Sequence, residues 1–122
     1  MGTFHTSAKI ANIGHRTRTA MLSKVIVDTG SECTWVPAAV LDTLGIKREK
    51  KDLTFVMANG QMVTRAVGFA VITVGGKFTV DEVVFGEPED QQSLGARTLE
   101  GLNVMVDPPR KRLVAAGPLP AI

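Results

Sequence analysis

The chain has 122 residues, enough for about one domain with a core of its own, and 44% hydrophobic against 21% charged residues exclude a disordered chain. Lys and Arg number 14 against 12 Asp and Glu, and the resulting +2 charge is too mild to imply a nucleic-acid partner by itself. One cysteine, Cys33, excludes an internal disulfide framework, and with only His5 and His15 beside it neither a metal centre nor another cofactor is expected.

No apolar run approaches the ~18 residues of a membrane span, so no membrane partner is expected. The N-terminus lacks the continuous apolar segment of a signal peptide, which makes a reducing cytoplasm the expected compartment. The opening Met1-Gly2-Thr3-Phe4-His5-Thr6 fits the loose myristoylation pattern, a match too short to outweigh an ordinary start.

The chain reads mostly as strand. Phe4 to Ile13 alternates loosely, with Phe4, Ala8 and Ile10 on one parity. A polar turn at Gly14-His15-Arg16 leads to a second strand, Thr17 to Val27, whose Val25-Ile26-Val27 end is apolar on both faces and so central. Asp28-Thr29-Gly30-Ser31 stops it with turn residues. A short helix is expected from Pro37, with Val40, Leu41 and Leu44 on one side and Gly45 after its end. Lys47 to Asp52 reads as a charged surface connection.

Two hairpins follow. Leu53–Ala58 and Gln61–Val67 flank Asn59-Gly60, whose residues both tolerate positive φ; Phe69–Val74 and Lys77–Phe85 flank Gly75-Gly76 in the same way. Gly86 to Ser93 is a polar loop, and Leu94 to Leu102 a second short helix. Val104-Met105-Val106 reads as a buried strand, Asp107 to Arg110 as a turn, Leu113-Val114 as a last strand and Gly117 to Pro120 as an irregular tail.

The stretch that carries chemistry is Val25-Ile26-Val27-Asp28-Thr29-Gly30-Ser31. Three buried-type aliphatics run straight into a carboxylate, and Asp is both rare in strands and costly to bury without partners. Asp28 either makes an Asx-turn with the backbone two residues on, or caps the following turn, or is kept for its chemistry.

The wider segment, Val25 through Asp28-Thr29-Gly30-Ser31-Glu32-Cys33-Thr34-Trp35-Val36-Pro37, resembles the active-site segment of aspartic proteases, and the order of elements from about Phe4 to Val114 resembles their retropepsin-like group. The Asn59-Gly60 hairpin stands where that family places its flap, and Ser93-Leu94-Gly95 resembles the hydrophobic-Gly element that crosses behind the catalytic loop. The resemblance implies a mostly β fold, a single-lobe closed β-barrel with two short helices. It implies one protease domain over residues 1–114, followed by a tail, 115–122, that either joins a dimer sheet or hangs free.

It also implies a mechanism. Two carboxylates share one proton, because like charges placed that close cannot both ionise. One takes a proton from water while the other polarises the scissile carbonyl. The chain holds one Asp-Thr-Gly; Asp42-Thr43 is followed by Leu44. A symmetric homodimer, with Asp28 from each subunit on the two-fold axis, is therefore implied, and closed dimers are common on general grounds. By the same resemblance Thr29 braces the two catalytic loops, Gly30 lets the backbone approach substrate, and Ser31 hydrogen-bonds the ionised carboxylate, giving a more acidic optimum than Ser31→Ala. Glu32 and the tip residues Met57, Ala58, Asn59 and Gly60 would bind substrate, within a flap from about Phe55 to Arg65 whose edges pair with an extended peptide.

Some residues depart from the family pattern. Glu32 stands where retroviral enzymes have Asp, and Ala96 where they have the Arg that pairs with it, so whether Arg97 reaches Glu32 is open. Ser93 takes a place more often hydrophobic. Cys33 reads as a small buried thiol or a redox switch, and Trp35 as core or the lining of a subsite.

The leading reading is a homodimeric aspartic endopeptidase acting on extended peptides. The alternative is a non-catalytic dimer of the same fold that binds or scaffolds. A β-rich nucleic-acid-binding module is the third, and the chain's five Phe, one Trp and no Tyr give it no obvious stacking platform.

Overall fold

A computed structural model describes residues 3–121; Gly2, on which the myristoylation pattern depends, lies outside them, as do Met1 and Ile122. The strands are β1 (His5–Ala11), β2 (Thr19–Val27), β3 (Thr34–Pro37), β4 (Lys50–Val56), β5 (Met62–Val74), β6 (Lys77–Gly86), β7 (Ser93–Leu94), β8 (Val104–Asp107) and β9 (Arg112–Ala115). Two short helices, α1 (Ala38–Thr43) and α2 (Ala96–Gly101), follow β3 and β7. The neighbours β1-β2-β7-β3-β6-β5 close into a ring, because β5 pairs back to β1 through Lys9↔Thr73 and Ile10↔Ile72. The outlying strand β4 hangs from β5, and β8–β9 form a separate two-stranded sheet.

The ring is filled from one face of each strand. Ala8 and Ile10, Val25 and Val27, Ala70 and Ile72, and Val83 and Phe85 sit two residues apart and are all buried, as the period of a strand requires. Leu41 of α1, Leu94 of β7 and Leu99 of α2 plug the same core. Each fully buried Ile, Leu or Val adds roughly 1.5–3 kcal/mol.

Both predicted hairpins form, by different turns. Gly75 and Gly76 have φ of +58° and +84°, and Val74 pairs with Lys77, the two-residue turn expected of them. At Asn59-Gly60 only Gly60 has positive φ, +84°. Its N–H donates to the Met57 carbonyl (2.8 Å) and the Met57 N–H donates to Gln61 (2.8 Å), while the Asn59 side chain accepts the Gln61 N–H (2.9 Å). This is a tight turn closed by one left-handed residue, so Asn59 serves through its side chain rather than through positive φ. A Cβ on Gly60 would meet nothing within 4 Å. Gly60→Ala is therefore expected to cost about 1 kcal/mol from conformation alone, read as a lower urea midpoint.

Other boundaries moved for identifiable reasons. β5 runs unbroken through Gly68, where the sequence predicts a break between two strands; a Cβ at Gly68 would collide with the Lys47 carbonyl, so this glycine admits the crossing chain. β4 begins at Lys50, inside the predicted charged connection, with an irregular register between Lys50 and Leu53 and a left-handed Asp52 at φ +60°. The second helix starts only at Ala96, because Ser93 and Leu94 pair with β2 and β3. The predicted buried strand Val104–Val106 is half open: Met105 is 54% exposed, since β8 lies outside the ring. No helix among the described residues is long and apolar enough to cross a membrane.

The loop between β6 and β7 is pinned by a buried ion pair. Arg65 of β5 donates to Asp90 through Nε (2.8 Å) and Nη2 (3.1 Å), and the Glu87 N–H donates to Asp90 Oδ2 (2.7 Å). These bonds hold the Asp90 carboxyl below the usual Asp range, with the Arg65 hydrogen bond the largest cause and burial opposing it. A lowered folded-state value adds stability that is complete above the ordinary Asp value and is lost as pH falls through the lowered one. The stability gap between wild type and Asp90→Asn is expected to narrow as pH falls below the ordinary Asp range, measured by thermal unfolding across pH.

Candidate active site

The end of β2 is fixed from both sides before the chain reaches Asp28. The Val27 N–H donates to Phe4 (2.9 Å), the Ile26 N–H to Gln92 (3.0 Å) and the Asp28 N–H to Leu94 (3.0 Å), while Val27 lies beside Leu94 in the parallel β2–β7 pairing. Beyond this point the chain turns back, with the Ser31 N–H donating to the Asp28 carbonyl (3.3 Å) and the Gly30 N–H to Asp28 Oδ1 (3.0 Å). The Asx-turn anticipated as a structural reading of Asp28 is present. It engages one carboxylate oxygen; among the described residues nothing hydrogen-bonds Oδ2. Asp28 is half-buried, and Thr29 and Gly30 are exposed. A Cβ on Gly30 would sit 3.3 Å from Oδ1, so a side chain there would crowd the carboxylate.

Ser93-Leu94-Gly95 runs behind this loop, as expected. β7 separates β2 from β3, and Leu94 is completely buried. A Cβ on Gly95 would collide with the backbone of Cys33, so only glycine fits the crossing. The far side of the loop is tied to α2: the Ala96 N–H donates to Ser31 (2.7 Å) and the Arg97 N–H to Glu32 (3.2 Å).

Two buried hydroxyls, unread in the sequence, complete the support. The Gly95 N–H donates to Thr34 Oγ1 (3.0 Å), Thr34 and Thr98 hydroxyls lie 2.6 Å apart, and Thr98 donates to Asp81 Oδ2 (2.8 Å). The one proton on Thr98 goes to Asp81, so Thr34 is the donor between them. Nothing in the sequence announces a contact between residues 34 and 98; its only trace is a Thr opening an apolar strand. Thr98→Val is expected to cost about 2 kcal/mol by leaving Thr34 and Asp81 short of a partner, measured by denaturant unfolding.

The other predicted site residues divide. The Ser31 hydroxyl donates to the Cys33 carbonyl (3.0 Å), not to the Asp28 carboxylate as anticipated. Its only proton is spent there, so Ser31→Ala is expected to leave any pH–rate profile in place. Arg97 does reach Glu32 (3.3 Å) and also grips Glu82 (2.8 Å), but Arg97 and Glu32 are half or more exposed and the pair is worth little. Burial pushes the Cys33 thiol above its ordinary range, with Arg97 opposing, which keeps it a poor nucleophile.

Trp35 is 7% exposed and meets Phe55 edge-on at 5.2 Å. Trp35, Val67 and Val84 form a second apolar cluster, against which Cys33, Phe55, Met57 and Val63 pack. The inner face of the β4–β5 hairpin thus rests on the strand that follows the Asp28 loop. Met57 belongs to this cluster, while Ala58, Asn59 and Gly60 are exposed at the tip, with no hydrogen bond to Asp28. Two surface grooves of about 610 and 380 Å³ lie elsewhere, and neither is lined by Asp28 or the tip. Within one chain Asp28 is half-buried, and Thr29 and Gly30 beside it are exposed.

The sequence pattern of the family described as Aspartyl protease matches residues 14–110. The chain belongs to this aspartyl protease family, which is part of the retropepsin-like clan. No curated protein matches the chain. The match spans the Asp28 loop, the β4–β5 hairpin and the Ser93-Leu94-Gly95 crossing, and stops before β9.

Proposed function

We propose that the chain is an aspartic endopeptidase that works as a homodimer, with Asp28 of each subunit meeting on the two-fold axis. The observation that supports it best is Asp28 itself: one carboxylate in an Asp-Thr-Gly loop, with Oδ1 held by its own backbone and Oδ2 without a hydrogen-bond partner among the described residues. Half of a dyad is supplied, and a second copy supplies the other half. The pair shares a proton; the ionised carboxyl takes a proton from a water, and the protonated one polarises the scissile carbonyl. The roles belong to the pair and not to either copy.

Thr29 braces one loop against the other, and exposed Gly30 leaves room for the substrate backbone. The β4–β5 hairpin, from about Phe55 to Arg65, acts as a flap whose edge pairs with an extended peptide. Met57, Ala58, Asn59 and Gly60 cover the substrate, and Glu32, already holding Arg97, accepts from its main chain. Residues 1–114 form the protease domain. The tail, 115–122, joins the dimer sheet as an interface strand, starting from the end of β9. Partners are a second copy and a peptide or protein substrate, with no nucleic acid or membrane involved.

The test is cleavage of a diverse peptide library by wild type and Asp28→Ala at acidic and neutral pH, read by mass spectrometry. Cleavage by wild type alone supports the reading. Equal cleavage by both would mean a contaminating protease. Silence from both, with a dimer in solution, would favour a non-catalytic dimer that binds or scaffolds. A mobile flap also predicts nicking near Asn59-Gly60 by an added protease, suppressed by a bound peptide inhibitor; equal nicking with and without inhibitor would count against it.

A further inference from the structure

The β4–β5 hairpin stands away from the ring. From Met62 to Ala66, β5 has β4 as its only strand neighbour among the described residues, because its pairing with β6 begins at Val67. The Trp35 cluster supports one face of this projection. The strongest polar tie is Arg65, which sits opposite Leu53 at the hairpin's root. Arg65 and Asp90 meet as a two-pronged fork with side chains only 10% and 7% exposed. Each of the two side chains has a further partner. Arg65 Nη1 donates to the Thr64 carbonyl (2.9 Å), and Asp90 accepts from Glu87, whose carbonyl takes the Asp90 N–H (2.9 Å). Glu89 approaches Arg65 only at 3.9 Å and is largely exposed.

What lies beyond Asp90 gives the pair its meaning. Two residues on, the Gln92 carbonyl takes the Ile26 N–H (3.0 Å) and the Gln92 amide donates to Lys24 (3.1 Å). Two residues further, Leu94 takes the Asp28 N–H. One short stretch of chain therefore carries the hairpin root at one end and the Asp28 loop at the other. A buried ion pair adds little net stability over apolar residues of the same volume, whereas a bidentate fork fixes distance and angle.

We propose that Arg65 and Asp90 are positioning residues for substrate, which set the flap against the Asp28 loop and govern KM while leaving the proton chemistry of Asp28 alone. This rests on the protease reading for its effect on KM, but its effect on the hairpin does not. Hydrogen exchange read by mass spectrometry on the full chain carrying Asp28→Asn, with and without Asp90→Asn, tests the hairpin directly. Exchange over residues 53–63 is expected to rise about tenfold with β1 and β2 unchanged. Unchanged exchange in the hairpin, or an equal rise throughout, would overturn the proposal. Should Asp90→Asn fold poorly, the double variant Arg65→Met with Asp90→Leu removes the fork without leaving a buried charge, and the same local rise is expected; wild-type protection there would overturn it.

With Asp28 intact, Asp90→Asn is expected to raise KM about tenfold and hold kcat within about twofold, since remote misplacement acts on binding geometry. A fall in kcat at constant KM would overturn it. If wild type cleaves no peptide, the protease reading fails, and the exchange experiment still decides whether the pair clamps the hairpin.

Discussion

Asp28→Asn is expected to lower kcat/KM for peptide hydrolysis at least about a thousandfold, because a positioned acid or base contributes roughly 10²–10⁴ and the symmetric substitution removes both at once. The fold should survive. Asparagine has the shape of aspartate, its side-chain oxygen still accepts the Gly30 N–H that Asp28 Oδ1 accepts now, and no ion pair is broken. Unfolding free energy should stay within about 0.5 kcal/mol of wild type. The proposed dyad adds a sharper expectation: excess Asp28→Asn chain mixed into wild type should poison it, since a mixed dimer holds one aspartate. Initial rates across a mixing series, with refolding or subunit exchange complete, measure this directly. Activity that merely tracked the amount of wild-type chain would contradict a shared site.

Gly95→Ala is expected to destabilise the fold by about 3 kcal/mol, at the upper end of the usual overpacking range. The added methyl would collide with the nitrogen, carbon and oxygen of the Cys33 backbone, none of which can rotate away as a flexible side chain does. Relief requires β7 to back out from between β2 and β3. That would loosen the Leu94 carbonyl from the Asp28 N–H and the Gly95 N–H from Thr34. Loss of stability and loss of activity should therefore arrive together, in contrast to Asp28→Asn. Urea unfolding with an unchanged midpoint would show that the crossing has more room than the structure gives it.

The Asp28 loop was legible because three aliphatics ending in Asp-Thr-Gly form a local signal, and β2 does end there with the carboxylate half-buried. The Ser93-Leu94-Gly95 crossing was legible only through resemblance. A two-residue strand has no period, and its existence depends on β2 and β3 on either side. Gly68 misled because glycine usually punctuates a strand, whereas here it admits the Lys47 backbone and the strand continues. Ser31 misled because a hydroxyl beside a carboxylate invites a bond, yet the carbonyl two residues on was better placed. The Thr34–Thr98–Asp81 chain and the Arg65–Asp90 fork join residues 64, 17 and 25 positions apart. Such partners are chosen by the folded ring, not by neighbours in the sequence. The local shape of the Asp28 loop was therefore readable, and the scaffolding that holds it was not.

In the proposed mechanism one chain carries half a catalytic site. Peptide-cleaving activity per subunit, followed through serial dilution together with sedimentation of the same samples, tests it most directly. Activity per subunit is expected to fall in step with the dimer fraction and to vanish in the monomer. Undiminished cleavage by a sample shown to be monomeric, and lost on Asp28→Asn, would contradict it.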